Sequence, residues 1–401
     1  MTGATPLRVS RGAWDYDVAI VGGGPAGTST ALHLVRDQGI RPERIVVLDK
    51  ARFPRDKPCA GAVSQLGVDA LHALGVRVEV PFIAMRGVRV LFQGAVGETQ
   101  CAMGIVVRRF EFDAQLLGAA RSDGAVIREE EGIRGIERIA GGFRLATTKG
   151  ALTARVVAAC DGAGSATRKL LGLREPERKG HLYVLDTAPV ASDSGPARDM
   201  IDFDLSVLED GLQGYYWDFP TMIDGVRHVS RGIYHANLEP GSDVKASLAQ
   251  ALARRGIDIA TVKLRPFSTR PFVGTTTLAQ DGLLFVGEAA GIDHATGEGI
   301  GQAIVMGAMA ARHVARALRT GGASFDAYAR AVRTATIGRH MLQSAWLARR
   351  VYGRLGHPAR RLLLQSTFAR DAAMRWYNGH SLPWPTKLRL ALGLVRHARP
   401  S

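Results

Sequence analysis

Four consecutive apolar residues, Val18–Val21, are followed by glycines at 22, 24 and 27 and then by a stretch with helical character to about Leu34. This pattern reads as strand, turn and first helix of a βαβ unit. A second apolar run, Ile45–Leu48, closes on Asp49, and a loop rich in Pro, Gly and charge leads to a helix at about Gln65–Leu74. Gly87–Phe92 and Thr99–Val107 alternate like a hairpin turning through Gly94–Gly97, and a helix starts within Arg108–Leu116. Val126–Arg128, Gly132–Ile139, Phe143–Thr147 and Leu152–Ala159 form a run of short strands. Leu182–Thr269 has another texture, with alternation, frequent turns and the cluster Tyr215-Tyr216-Trp217-Asp218-Phe219-Pro220, which predicts a mostly antiparallel sheet. Leu283–Val286 is one more apolar strand, leading to a helix over Gln302–Leu318, and residues 338–355, 359–377 and 385–399 are helix-like.

The spacing of the first glycines carries a chemical implication. Gly22 permits the tight turn, Gly24 admits a pyrophosphate close to the backbone, and Gly27 lets helix pack on strand. The free N–H groups and positive dipole end of the following helix suit a diphosphate. A glycine-rich turn without a ligand is the plain alternative, but the preceding strand and Asp49, about 20 residues on, complete the dinucleotide fingerprint. Cys160-Asp161-Gly162 and Gly287-Glu288-Ala289 repeat the arrangement of an apolar strand closing on Gly and an acid. One cofactor site therefore collects residues from three distant segments. The fold class that follows is α/β: a Rossmann-like nucleotide domain over 1–85, 103–175 and 270–320, an inserted, mostly antiparallel β substrate domain over 86–102 and 176–269, and a helical C-terminal segment over 321–401.

Composition narrows this further. A chain of 401 residues suits two or three domains, and 3 Cys without a CxxC or Cys/His cluster fit a reducing compartment and predict no metal. No signal peptide or long apolar span is read, so a cytoplasmic location, either soluble or peripheral to a membrane, is expected. Charge is uneven: residues 312–401 hold 17 Lys and Arg against 2 Asp and Glu, an excess equal to the net charge of +15 for the whole chain. Attraction to anions belongs to this tail. Trp384, Leu388, Ala391, Leu392 and Val395 form a helical stripe with Lys387, Arg389, Arg396 and Arg399 beside it, a pattern that either lies on an anionic bilayer or packs on the protein with its arginines solvated. No recognition module accompanies the charge, so nucleic acid is not an expected partner. Cys59 is either a small buried residue or a reactive one, and Arg109 either a surface charge or a clamp on a cofactor oxygen.

Taken together, GGGPAG with Asp49, the loop DKPCAG, Arg109-x-x-Phe112-Asp113, CDGAGSATR, GEAAG…TGEGI and the Y-x-W-x-F-P run Tyr215–Pro220 resemble the geranylgeranyl reductase family of FAD-dependent oxidoreductases, over about Asp15–Leu318. The resemblance implies FAD, its ADP half held by Gly22, Gly24, Pro25, Ala26, Gly27, Asp49 and Lys50. It also implies Arg109, Asp161, Gly162, Gly287 and Glu288 along the pyrophosphate and ribityl chain, Cys59 and Ala60 facing the flavin, and Gly297, Gly299 and Ile300 approaching the ring from a helix N-terminus. Cys59, Tyr215, Trp217 and His294 become the candidate catalytic side chains. The sequence departs from the family pattern at Glu288, usually Asp, at His294-Ala295, where a proline is common, and at Leu212, also usually proline. The implied activity is hydride transfer from reduced FAD to C=C bonds of an isoprenoid or related small apolar substrate. An external donor, NAD(P)H or reduced ferredoxin, would supply the electrons, since no second GxGxxG is present. A monooxygenase or halogenase of natural-product biosynthesis and a flavin-free prenyl carrier are the competing readings.

Overall fold

The computed structural model describes residues 14–353 and 356–398. Residues 1–13 of the first nucleotide segment, Leu355 at the end of one expected helix and Arg399 of the basic stripe lie outside the described residues.

The chain begins with β1 (Tyr16–Val21), α1 (Pro25–Arg36), β2 (Ile45–Leu48), β3 (Ala62–Ser64), α2 (Gln65–Ala73), β4 (Phe82–Phe92) and β5 (Ala95–Val107). There follow α3 (Arg109–Ser122), β6 (Val126–Arg128), β7 (Ile133–Ile139), β8 (Gly142–Thr147), β9 (Gly150–Ala159) and the short α4 (Ala166–Leu170). The middle comprises β10 (Gly180–Thr187), β11 (Met200–Asp204), β12 (Gly214–Ile223), β13 (Val226–His235), α5 (Val244–Ala253) and β14 (Arg265–Thr269). After β15 (Ala279–Gln280) and β16 (Leu283–Phe285), the long α6 (Ile300–Thr320) starts a helical series: α7 (Asp326–Thr334), α8 (Thr336–Val351), α9 (Gly356–Gln365), α10 (Thr367–Tyr377) and α11 (Trp384–Ala398).

Two sheets divide the work. In the first, β1 lies parallel between β2 and β9, with Val18 opposite both Ile45 and Val156; β16 extends the parallel array beyond β9, and β6 beyond β2. Val18–Val21 are buried on both faces, which is why this strand is a continuous apolar run rather than an alternating one. Helices α1 and α6 pack on each other across a close approach: a Cβ on Gly307 would stand 2.6 Å from Ser29 Oγ, whose hydroxyl donates to the Ile304 carbonyl at 2.7 Å. The parallel direction brings the carboxyl ends of β1, β2, β9 and β16 to one edge, where open α/β sheets bind ligands.

The second sheet runs β14-β10-β13-β12-β11-β4-β5-β3 and is antiparallel except at β11–β4. Ala62–Ser64 and Phe82–Met85, read from the sequence as part of the nucleotide unit, hydrogen-bond into this second sheet. The hairpin also corrects the expected turn. β4 and β5 pair down to Phe92↔Ala95, so the turn is Gln93-Gly94 rather than Gly94–Gly97. Both turn residues have positive φ, 50° and 82°, the backbone of the tight two-residue turn that suits strand twist.

Candidate active site

The glycine turn is held open by backbone contacts. Gly22 has φ of 108° and donates its N–H to the Leu48 carbonyl at 2.7 Å; a Cβ there would stand 2.4 Å from the Cys160 carbonyl oxygen. Helix α1, with the buried Pro25 and Ala26 in its first turn, has no side-chain cap and no acid there, leaving its first N–H groups for an anion. Asp49 accepts from the N–H groups of Gly23 and Ala51, each at 2.8 Å, which orients the carboxylate at the end of β2. Lys50 beside it is exposed.

Arg55 stands over this turn and shares Asp113 with Arg109. Arg109 donates from Nε and Nη2 to both oxygens of the buried Asp113 at 2.6 Å, and Arg55 Nη2 lies 3.2 Å from the same carboxylate. A Cβ on Gly24 would meet Arg55 Nη2 at 3.5 Å, so this cation stands directly over the turn. Burial alone would weaken the Arg109 charge, but Asp113 outweighs it and holds the guanidinium above its ordinary range. Two cations share one carboxylate, leaving a net positive charge where the helix end also favours a diphosphate. Arg55 was missed from sequence because it lies in an irregular loop, without a spacing rule relating it to Gly24.

Asp161 caps α4, accepting from Ser165 Oγ at 2.6 Å, Thr167 N at 2.8 Å and Thr167 Oγ1 at 2.9 Å. Gly162 next to it faces open space. Gly287, with φ of 62°, is wedged against Ala26, and Glu288 accepts from Lys57 Nζ at 3.1 Å. Cys59 and Ala60 line a narrow cleft with Arg109, Thr221 and Ser230, the last a buried hydroxyl without a partner. The Cys59 sulfur accepts from Gly61 N–H at 3.4 Å. Gly299 starts α6 without a side chain of its own to cap it, and Glu298 accepts from the Gly301 N–H in the first turn. These features fit FAD: a cradle a Cβ would block, the uncapped start of α1, paired cations and an acid at the end of β2.

The loop before α6 is the most constrained part. Tyr215 of β12 donates to the Thr296 carbonyl, Tyr352 just beyond α8 to the Ala295 carbonyl, and Tyr234 of β13 to the His294 carbonyl at 3.0 Å. Asp293, fully buried, accepts from Ala295 N at 2.8 Å, Thr296 N at 2.7 Å, Ser344 Oγ at 2.5 Å and His340 Nε2 at 3.1 Å. Burial opposes its charge, and the bonds from His340, Ser344 and Thr296 prevail, keeping its carboxyl below the usual range. The His294 Nε2 lies 2.9 Å from the Ala236 carbonyl, and burial lowers its basicity. Trp217 is buried with its indole N–H unpartnered, beside Tyr215 and Phe219 at 6.2 and 6.3 Å between ring centres. Asp293, Tyr352 and His340 have no local motif that would reveal them; only tertiary packing joins α8 to this loop.

Behind it lies a cavity of about 280 Å³ bounded by α2, α6, α8 and α10. Glu298 forms part of its wall, accepting through Oε1 from Ser64 Oγ at 3.1 Å and Gly301 N at 3.0 Å. Burial pushes this carboxyl up to about 7. Among the described residues no group of three or more His, Cys, Asp or Glu side chains is placed to hold a metal. No described helix is long and apolar enough to cross a membrane.

The parallel sheet with its glycine turn and the second sheet closing over it define a flavoprotein fold. Residues 15–339 match the FAD binding domain family, and the chain belongs to that family. It is an FAD-dependent oxidoreductase with homologues of the geranylgeranyl reductase type. Digeranylgeranylglycerophospholipid reductase 1 of Methanopyrus kandleri is 27% identical over 319 residues, covering 74% of this chain and 79% of that protein. The geranylgeranyl bacteriochlorophyll reductase-like protein of Thermoplasma acidophilum superposes with a TM-score of 0.73 at 21% identity, over 94% of this chain and 99% of that one. The flavin-dependent halogenase CmlS superposes with a TM-score of 0.64 at 18% identity, over 94% of this chain and 70% of its own.

Proposed function

We propose that the protein reduces C=C bonds of an isoprenoid or similarly apolar substrate. The first sheet and α6 hold FAD, and the second sheet forms the substrate wall. The observation that carries this is the Tyr215 hydroxyl bound to Thr296: it fixes the aromatic face of Tyr215, Trp217 and Phe219 against the loop that starts α6. Flat apolar walls suit a prenyl chain and keep water out. The likeness to the Methanopyrus reductase supports the same reading.

In this reading Gly22, Gly24, Gly27 and Asp49 hold the ADP half, Arg55 and Arg109 neutralise the diphosphate, and Asp161 and Glu288 bind the ribityl chain. Bound and reduced by an external NAD(P)H or ferredoxin donor, FAD supplies the hydride. The protein positions the alkene, excludes water and provides the proton. Cys59 faces the same cleft beside Arg109. The test is anaerobic: the dithionite-reduced protein, given prenyl diphosphates, prenylated quinones or prenylated lipids, adds one H2 per double bond, read by mass spectrometry. Absence of reduction across that panel, with NAD(P)H-driven oxygen uptake and a hydroxylated or halogenated product, overturns it in favour of a monooxygenase or halogenase.

The basic tail serves delivery. Helix α11 buries none of its residues, and Trp384, Leu388, Leu392 and Val395 stand exposed among Lys387, Arg389 and Arg396. We assign this face to an anionic bilayer, which would present an apolar substrate at the protein surface.

A further inference from the structure

Saturating a C=C bond takes two hydrogens: one arrives with its electron pair from the reduced cofactor, the other as a proton. The obvious aromatic donors near the loop are committed. The hydroxyl hydrogens of Tyr215, Tyr234 and Tyr352 are each given to a backbone carbonyl, and the His294 Nε2 bonds to Ala236. Releasing any of them would break the clamp on residues 294–296.

Glu298 is placed differently. It follows Gly297 at the start of α6, its carboxyl is buried, and it receives its bonds from Ser64 and Gly301 rather than from a cationic partner. It lines the cavity of about 280 Å³, whose polar lining, from Gln302, Thr336 and His340, can hold water. Tyr377 at the end of α10 lines the same cavity, and its ring packs in the same cluster as Tyr215 and Trp217. Carboxyl and phenol therefore share one cavity, and the phenol ring reaches the aromatic wall.

We propose that Glu298 is the proton store for the reduction, passing its proton through the Tyr377 hydroxyl toward the substrate wall and recovering one from water in the cavity. The inference rests on the reductase reading. In the relay, the Glu298 O–H bond breaks as its proton passes through cavity water to the Tyr377 hydroxyl, which releases its own proton to the alkene carbon left without hydrogen. The glutamate carboxylate is then reprotonated from a cavity water, with no net change in the protein.

Burial, the bonds from Ser64 of β3 and the Gly301 N–H, and the nearby Asp293 set the acidity of Glu298, and the titratable or charged groups that share its cavity are Tyr377 from α10, His340 from α8 and Arg312 from α6. Burial dominates and raises the acid to about 7, so a substantial protonated fraction is present at neutral pH and the group is protonated below it.

The substitution E298Q keeps the shape and the oxygen that accepts from Gly301. Infrared spectroscopy of the purified apoprotein reads the acid without any turnover. A protonated-carboxyl stretch is expected that shifts in D2O, fades as pH rises through about 7 and loses intensity in E298Q, the remainder belonging to Asp202. A wild-type-minus-E298Q difference spectrum without such a band between about pH 5 and pH 8 overturns the inference. In the holoprotein, alkene reduction is expected to fall about 100-fold in E298Q and to lose its decline above neutral pH, while reduction of the bound flavin by dithionite is unchanged. Y377F, which keeps the ring, is the second variant, with a similar loss and normal flavin content. Wild-type rates and pH profile in both variants overturn the relay and leave the reductase reading standing. Failure of the wild-type protein on every alkene sinks the reductase reading, with the infrared band still reporting on Glu298.

Discussion

Individual residues in this site are constrained by backbone proximity more than by side-chain chemistry. At Gly22 a methyl group would meet both a φ of 108° and a carbonyl oxygen at 2.4 Å. Gly22→Ala is therefore expected to cost more than about 2 kcal/mol and to yield protein without flavin colour, checked by thermal melts and by flavin absorbance per chain. Arg55→Met removes a cation without touching the strand, and flavin affinity should drop about tenfold, as expected for losing one charged hydrogen bond, with unchanged far-UV dichroism. Comparing these two residues explains what sequence could reveal. Gly22, Gly24, Gly27 and Asp49 are legible because the turn imposes their spacing locally. Arg55 was not, because its partner Asp113 lies on α3 and only the fold brings them together. His294 shows the opposite case: its position beside the glycine-rich loop suggested acid or base chemistry, while its Nε2 bonds to the backbone of Ala236.

Among the elements, the C-terminal helices divide into two kinds. The region of α8 is built into the site through His340 and Ser344, with Tyr352 just past its end, whereas α11 carries an exposed apolar face. Tyr352→Phe leaves the Ala295 carbonyl without its partner. A loss of about 1–2 kcal/mol should follow, with faster hydrogen exchange confined to the loop before α6. Leu392→Glu on α11 should leave the melting temperature within about a degree, since the side chain is 54% exposed, yet weaken sedimentation with phosphatidylserine vesicles several-fold. Neutral phosphatidylcholine vesicles should bind weakly in both proteins; equal binding of wild type and variant to the anionic vesicles would argue that α11 does not touch lipid. Periodicity made the helical nature of this tail readable, and charge its polarity. What separates α8 from α11 is which face finds a buried acid, and that depends on a partner far away in sequence.

For the whole molecule, pH dependence follows from three buried groups. Burial raises both Glu298 and Asp202 to about 7, so each contributes stability that is complete in acid and is lost as pH rises through about 7. Burial lowers His235 to about 4, and its contribution runs the other way, disappearing as pH falls from about 6.5 to about 4. Between about pH 6.5 and pH 8 only the two acids remain active, so the apoprotein should become less stable over that interval, and E298Q should remove about half of the decline. Calorimetry across pH on both proteins reads this directly. A flat wild-type profile there would mean that neither acid is held protonated.

The three tyrosines that hold residues 294–296 come from two strands of the second sheet and from the far end of α8. This has a consequence for synthesis on the ribosome. The glycine turn, Asp49 and both arginines have been synthesised once α3 has emerged, yet the loop at the start of α6 gains its third anchor only when Tyr352 is free to fold back. The cradle itself is completed by β9, whose end supplies the Cys160 carbonyl against Gly22, and by α6 packed on α1, and Tyr352 closes the loop last. C-terminal truncations that stop before Tyr352 are therefore expected to retain less flavin per chain than the full-length protein, read by flavin absorbance.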